Sequence, residues 1–147
     1  MTKIDYVQVK RAINKIYEGG ESVVEVGAGY GRILALLEND DGYSFRTIEG
    51  CDVSELLISN KVCISKIHHW NILEPIETFK ADIVLVWAVL MYFNNEQIKS
   101  ALKNLLELGQ GIIIFELPNT YYRLEQILNG LDPIYANKIM LRPIYTF

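Results

Sequence analysis

Two hydrophobic periods alternate along this chain. Tyr6, Val9, Ile13, Ile16 and Tyr17 recur at helical spacing, which predicts a short amphipathic helix over about residues 5–17, stopped by Gly19-Gly20. Ser22 to Val26 is a β-branched run and predicts a strand. A glycine cluster follows, then Ile33, Leu34, Leu36 and Leu37 on a helix ending near Asn39-Asp40. Ser44 to Cys51 predicts a second strand, and Ser54 to Val62 a helix with Leu57 and Ile58 inward. Ile64 to Trp70 predicts a third, short strand, and Asn71 to Phe79 a loop punctuated by Pro75. Asp82 to Trp87 is almost continuously apolar, the mark of a strand covered on both faces, as in a parallel sheet. Asn94 to Leu108 predicts an amphipathic helix capped by Asn94 or Asn95 and ended by Gly109-Gln110-Gly111. Ile112 to Leu117 predicts another buried strand, and Thr120 to Asn129 a last helix ended by Gly130.

The tail from Leu131 carries a weaker pattern. Pro133 to Ala136 and Ile139 to Phe147 predict either a hairpin or a single bent strand. Pro143 cannot donate to a ladder, which puts any strand there at a sheet edge or a bulge. Strands alternating with helices over most of the chain give an α/β fold with a largely parallel sheet.

Composition narrows the class. The 147 residues suit a single domain spanning 1–147, and the 50% hydrophobic content is that of a folded chain, not a disordered one. Fourteen Lys and Arg stand against 18 Asp and Glu, so a strongly basic nucleic-acid footprint is missing. Cys51 and Cys63 lack metal-ligand spacing and are too few for a disulfide scaffold, so they read as buried apolar filler in a reducing cytoplasm. The segment Met1 to Tyr6 has no apolar signal region. The longest apolar stretch, Ala81 to Phe93, contains Asp82 and falls short of the ~20 residues that span a bilayer. No metal site is expected. His68 and His69 are adjacent on a strand, so they face opposite sides and suit one half-buried and one exposed role.

The sharpest feature is the run from Val23 to Arg32, in which a strand meets glycines at 27, 29 and 31 and a helix opens behind them. Glycine permits positive φ and close approach of a ligand to the backbone. The loop leads to a helix N-terminus, with free N–H groups and a positive dipole end. A dinucleotide fingerprint, Gly-x-Gly-x-x-Gly/Ala, would need a small residue at position 32, where Arg32 stands. A phosphate P-loop is absent because no Gly-Lys-Ser/Thr follows.

Glu25-Val26-Gly27-Ala28-Gly29-Tyr30-Gly31 resembles the first motif of the class I S-adenosylmethionine-dependent methyltransferases, an acid followed by Gly-x-Gly-x-Gly after a hydrophobic strand. The resemblance covers about residues 21–117. It implies a doubly wound, Rossmann-like sheet flanked by helices, shortened at its C-terminal end with an antiparallel edge strand or hairpin. It also implies S-adenosylmethionine as cofactor and the loop residues Gly27, Ala28, Gly29, Tyr30 and Gly31 around it, with Glu25 helping to hold the methionine ammonium. Asp52, about 20 residues beyond Gly31, matches the acid that binds the ribose hydroxyls, and Val53 would pack near the adenine. Asn71 stands where the family often has Asp against the adenine amino group, with Ile72 as its apolar neighbour and Trp87 as a candidate wall. The family's usual Lys-Pro-Gly-Gly turn before the fifth strand is missing here; the chain has Gly109-Gln110-Gly111.

Plainer roles stay open beside these. The glycines could form a bare turn, Glu25 could be solvated, Asp52 could cap the following helix, Asn71 could be a turn residue and Trp87 could be core. Tyr92, Tyr121 and Tyr122 could wall a substrate pocket or sit on its rim. The resemblance implies methyl transfer by in-line displacement, with no catalytic residue identified. The Asp/Asn-Pro-Pro-Tyr motif of exocyclic-amine enzymes is replaced by Val86-Trp87-Ala88-Val89, and a Pro-Cys nucleophile is absent. A catalytically inactive cofactor-binding subunit and a different nucleotide-binding protein, such as an NAD oxidoreductase, are the alternatives. The acceptor is an unidentified small molecule or protein. With little chain before the first strand, the substrate cover is expected to be small or to come from a dimer partner or second protein.

Overall fold

A computed structural model of the chain describes residues 2–76 and 78–145. Six strands form one sheet in the order β3-β2-β1-β4-β5-β6: β1 Ser22–Val26, β2 Thr47–Asp52, β3 Ile67–His69, β4 Ala81–Trp87, β5 Gly109–Glu116 and β6 Ile139–Pro143. Every pairing is parallel. The strand order reverses between β1 and β4, which makes the C-terminal ends of those two strands the switch point of an open α/β sheet.

Alternation within the buried strands divides the core. Val24, Val84, Val86, Ile112 and Ile114 point to one face, against Ile98, Leu102, Leu105 and Leu108 of α4 (Asn95–Leu108) and Leu124 of α5 (Pro118–Asn129). Val23, Ile83, Leu85, Ile113 and Phe115 point to the other, against Val9, Ala12 and Ile13 of α1 (Lys3–Ile13) and Ile33 and Leu37 of α2 (Arg32–Glu38). Side chains on a strand alternate faces, so a strand apolar at every position is one roofed on both sides. The short α3 (Glu55–Ser59) is capped by Ser54, whose side chain accepts from the Leu57 N–H.

Several boundaries differ from expectation for local reasons. α1 starts at Lys3 because Thr2 and Asp5 form a reciprocal capping box, and it ends at Ile13, short of 17. β3 is confined to Ile67–His69, because Glu38 accepts from the Ile64 and Ser65 N–H groups and holds the preceding residues as a turn. β5 begins at Gly109 directly after α4. A Cβ on Gly109 would lie 2.4 Å from Val84 Cγ2, so that glycine answers a packing demand where a helix stop had been expected.

The antiparallel edge strand or hairpin expected at the C-terminus does not form. Pro133–Ala136 is a one-turn helix, α6, opened by Asp132, whose side chain accepts from the Ile134 N–H at 2.9 Å. With α5 and α6 as the crossover, β6 returns parallel to β5, and Pro143 closes it at the sheet edge opposite Glu116. The expected continuation to Thr146 and Phe147 lies outside the described residues. Among the described residues no helix is long and apolar enough to cross a membrane.

Candidate functional site

β1 delivers the glycine loop at the switch point. Gly27, Gly29 and Gly31 have φ of 74°, 59° and 80°. Those left-handed values cost a residue with a side chain about 1–2 kcal/mol each. The N–H groups of Gly27 and Ala28 both donate to the Cys51 carbonyl, at 2.9 and 3.0 Å, so the loop hangs from the end of β2. Asp52, the last residue of β2, fastens it further: Oδ2 accepts from Gly29 N–H at 2.8 Å and Oδ1 from Ser54 N–H at 2.9 Å. An ionised carboxylate offers about four acceptor positions, so two remain for a ligand.

Above the loop lies a cleft of about 480 Å³. Seven of the residues that the resemblance assigns to the cofactor line it: Gly27, Gly29, Asp52, Val53, Asn71, Ile72 and Trp87. Glu25, Ala28 and Tyr30 line an adjoining recess of about 270 Å³ that shares Gly27 and Trp87 with the cleft. Gly31 lines neither. It sets the start of α2 and packs so closely on Cys63 that a Cβ there would fall 2.4 Å from its Sγ.

The plainer roles sort themselves by contact. Glu25 is buried, 3% exposed, with Oε1 lacking any hydrogen-bond partner, so the solvated reading fails. Burial, and secondarily the Asp52 charge, hold its carboxyl well above the usual carboxylate range. Asp52 is not the helix cap, which is Ser54, though it braces the Ser54 N–H. Asn71 forms its own turn, Oδ1 accepting from Leu73 N–H at 2.9 Å, while facing the cleft. The next residue is pinned from behind: buried Asn104 of α4 donates through Nδ2 to the Ile72 carbonyl at 2.8 Å. Trp87 serves both readings, lining the cleft and packing on Phe115 with ring centres 5.0 Å apart.

The histidines diverge as strand geometry requires. His68 is half-buried against Glu49 and stacks on Phe79, whereas exposed His69 has Nε2 2.9 Å from the Val53 carbonyl oxygen. Among the described residues no group of three or more His, Cys, Asp or Glu could hold a metal ion. Cys51 and Cys63 are buried free thiols, and burial pushes both thiols above their usual range. Tyr92 reaches the cleft; Tyr121 and Tyr122 contact each other on α5.

Two parts of the site escaped the sequence reading. The segment after β4 places Val89 and Phe93 on the cleft wall beside Tyr92. Beneath it sits Glu116, the last residue of β5, fully buried, with Oε2 accepting from the Leu90 N–H at 3.2 Å and Oε1 unpartnered. Burial pushes its carboxyl up to about 7 against the opposing pull of the Leu90, Val89 and Met91 N–H groups. Its signal in the sequence was a lone acid closing the apolar run Ile112 to Phe115.

The chain shares this architecture with solved methyltransferases. A sugar N-methyltransferase from Streptoalloteichus superposes with a TM-score of 0.66 at 16% identity, over 80% of this chain and 50% of that one. An amino pentose methyltransferase from Micromonospora echinaspora, solved with S-adenosylmethionine bound, gives 0.66 at 12% identity, over 80% of this chain and 53% of that one. A magnesium protoporphyrin IX methyltransferase from Synechocystis, also with that ligand bound, gives 0.64 at 17% identity, over 86% of this chain and 65% of that one. The chain thus has the Rossmann-like fold of the S-adenosylmethionine-dependent methyltransferases and spans about half to two thirds of the length of these structures. No protein-family model and no curated protein matches it.

Proposed function

We propose that the chain is an S-adenosylmethionine-dependent methyltransferase that passes the methyl group to a small-molecule acceptor. The observation that carries this reading is the convergence of Gly27, Gly29, Asp52, Val53, Asn71, Ile72 and Trp87, nominated by motif order alone, on one cleft at the switch point. The residues present fit the cofactor. A Cβ on Gly29 would meet only Leu57 Cδ1, at 3.9 Å, so the missing side chain leaves room for a ligand against the backbone. Asp52 has two acceptor positions left for vicinal hydroxyls, and the orphan Oε1 of Glu25 lacks the donor that an ammonium group would supply.

In this reading Asp52 holds the ribose and Val53 and Ile72 flank the adenine. Asn71 turns its amide toward the adenine edge, and Glu25 serves the methionine end. The cofactor supplies an electrophilic methyl on a sulfonium, and the chain's contribution is alignment for in-line displacement. Trp87, Val89 and Tyr92 would exclude water and orient the acceptor. Among the described residues the cleft wall presents no carboxylate or imidazole besides Asp52, and this suits an acceptor that is already nucleophilic. Tyr92 is 77% exposed, which suits an acceptor side completed by a second copy or a partner chain. Two buried free thiols suit a reducing cytoplasm.

Calorimetric titration with S-adenosylmethionine, S-adenosylhomocysteine and NAD tests the reading. Binding of the adenosyl ligands and not of NAD is expected, and no binding of either adenosyl ligand at millimolar concentration overturns it. A labelled-cofactor screen over amino sugars, other amines and porphyrins then separates an active enzyme from a cofactor-binding subunit without catalysis.

A further inference from the structure

The segment linking β4 to α4 is held in a conformation its residues do not favour. Ala88 has φ of +54° and is the one described non-glycine residue in the left-handed region. Such outliers persist when the surroundings over-determine them. Here the surroundings are the end of β5. The Ala88 N–H donates to the Phe115 carbonyl at 2.9 Å, and the Leu90 N–H donates to Glu116 Oε2 at 3.2 Å. Leu90 is itself fully buried in the α4-side core.

Glu116 is an unusual choice for that place. It is 0% exposed, it makes no ion pair among the described residues, and one of its oxygens has no partner. A well-packed apolar residue is generally at least as stabilising as a buried charge, so a buried acid is poor evidence of a purely structural role. What it grips faces the cleft. Val89 Cγ2 fills the space a Cβ on Gly27 would need, at 2.4 Å, and Val89, Tyr92 and Phe93 all line the cleft. The strained alanine, the buried acid and the glycine matched to Val89 meet at one point.

We propose that Glu116 is a positioning residue: its buried carboxyl clamps the segment Ala88–Tyr92 against the end of β5 and so seats Val89 on Gly27, preforming the wall of the cofactor cleft. The link to cofactor rests on the function proposed above; the clamp does not. Glu116 is not among the residues that line the cleft and acts through the Leu90 N–H.

The test combines Glu116→Leu and Glu116→Gln with two readouts. Amide hydrogen exchange at Leu90 and Met91 should accelerate at least tenfold in E116L and stay near the wild-type rate in E116Q, whose amide oxygen still accepts. S-adenosylhomocysteine should bind E116L about tenfold more weakly and E116Q within about threefold of wild type, while the melting temperature of E116L holds or rises. Unchanged exchange at Leu90 in E116L overturns the clamp. Faster exchange with unchanged affinity overturns the positioning role. If the wild-type chain binds neither adenosyl ligand, the proposed function falls and the exchange arm alone decides the clamp. In an Ala88→Gly background the affinity loss from E116L should shrink to about threefold, because the strain the clamp opposes is gone; an undiminished loss overturns the coupling between them. Glu116→Met, which keeps the side-chain length, replaces E116L where that variant does not fold.

Discussion

Asp52→Asn probes the loop and the ligand together. In the native chain one carboxylate accepts from two backbone donors, Gly29 N–H at 2.8 Å and Ser54 N–H at 2.9 Å. An asparagine offers one oxygen and one NH₂, so whichever way it turns, one backbone N–H faces a donor. The loss is one charge-assisted hydrogen bond, worth roughly 1.5–3 kcal/mol, because Asp52 is only 9% exposed and water replaces the bond poorly. Spread over a chain of this size, about 2 kcal/mol lowers the melting temperature by roughly 6–8 °C. On the proposed function, a bound ribose loses a charged acceptor at the same stroke. A further 1.5–3 kcal/mol corresponds to binding weaker by about 10- to 150-fold. Calorimetry with S-adenosylhomocysteine and a thermal melt measure both effects. A 2′-deoxy analogue separates them: it should bind wild type more weakly than the parent ligand, yet D52N about equally. An affinity within twofold of wild type would remove Asp52 from the site, and an unchanged melting temperature would refute its bracing of the loop.

Two further outcomes follow from the same geometry. Folding raises the carboxyls of Glu25 and Glu116, the latter from 4.5 to about 7, so the unfolded chain ionises first as pH rises. Stability is then fullest at and below about pH 4.5 for these two groups and falls as pH climbs through 7, by at most about 3 kcal/mol from Glu116, whereas Asp40, lowered to about 2, and Asp82, also lowered, withdraw support only below about pH 4. Urea unfolding from pH 5 to 8 should show this decline, with less of it in E116Q, and a flat or rising profile refutes the assignment. Gly31→Ala puts a Cβ 2.4 Å from Cys63 Sγ at a φ of +80°, so strain and displacement together should cost about 2–4 kcal/mol; a loss under about 1 kcal/mol by denaturant titration would show that Cys63 yields freely.

What the sequence disclosed was whatever a local pattern can encode. The almost continuously apolar run Asp82 to Trp87 predicts a strand roofed on both faces, and the structure packs Val84 and Val86 into one core and Ile83 and Leu85 into the other. The cleft at the switch point was legible because its loop leaves a mark: positive φ at 27, 29 and 31 favours glycine, and an acid ends the neighbouring strand. The misses are tertiary. Asp132-Pro133 opens a helix as readily as a turn, and only the completed crossover sends β6 back parallel. Gly109 looks like a helix stop until Val84 is placed against it. Glu25 could be solvated or buried by its strand position alone, because an acid in an apolar run says nothing about what roofs it.

The grip of Glu116 on the Leu90 N–H joins residues 26 positions apart, and no window of local sequence carries it. That gap marks the difference between the two halves of the site. The half built by β1, β2 and the loop between β3 and β4 depends on backbone conformation, and backbone conformation constrains residue type strongly enough to be read. The half built by Ala88 to Phe93 depends on side chains packed from β5 and from the loop itself, where Val89, Tyr92 and Phe93 could each be another apolar residue without breaking a rule of local structure. In the function proposed above, that second half is the acceptor side. On that reading the segment after β4 is where an acceptor would be selected, and the left-handed φ of Ala88, with its N–H on the Phe115 carbonyl, shows that the end of β5 holds this segment in one conformation.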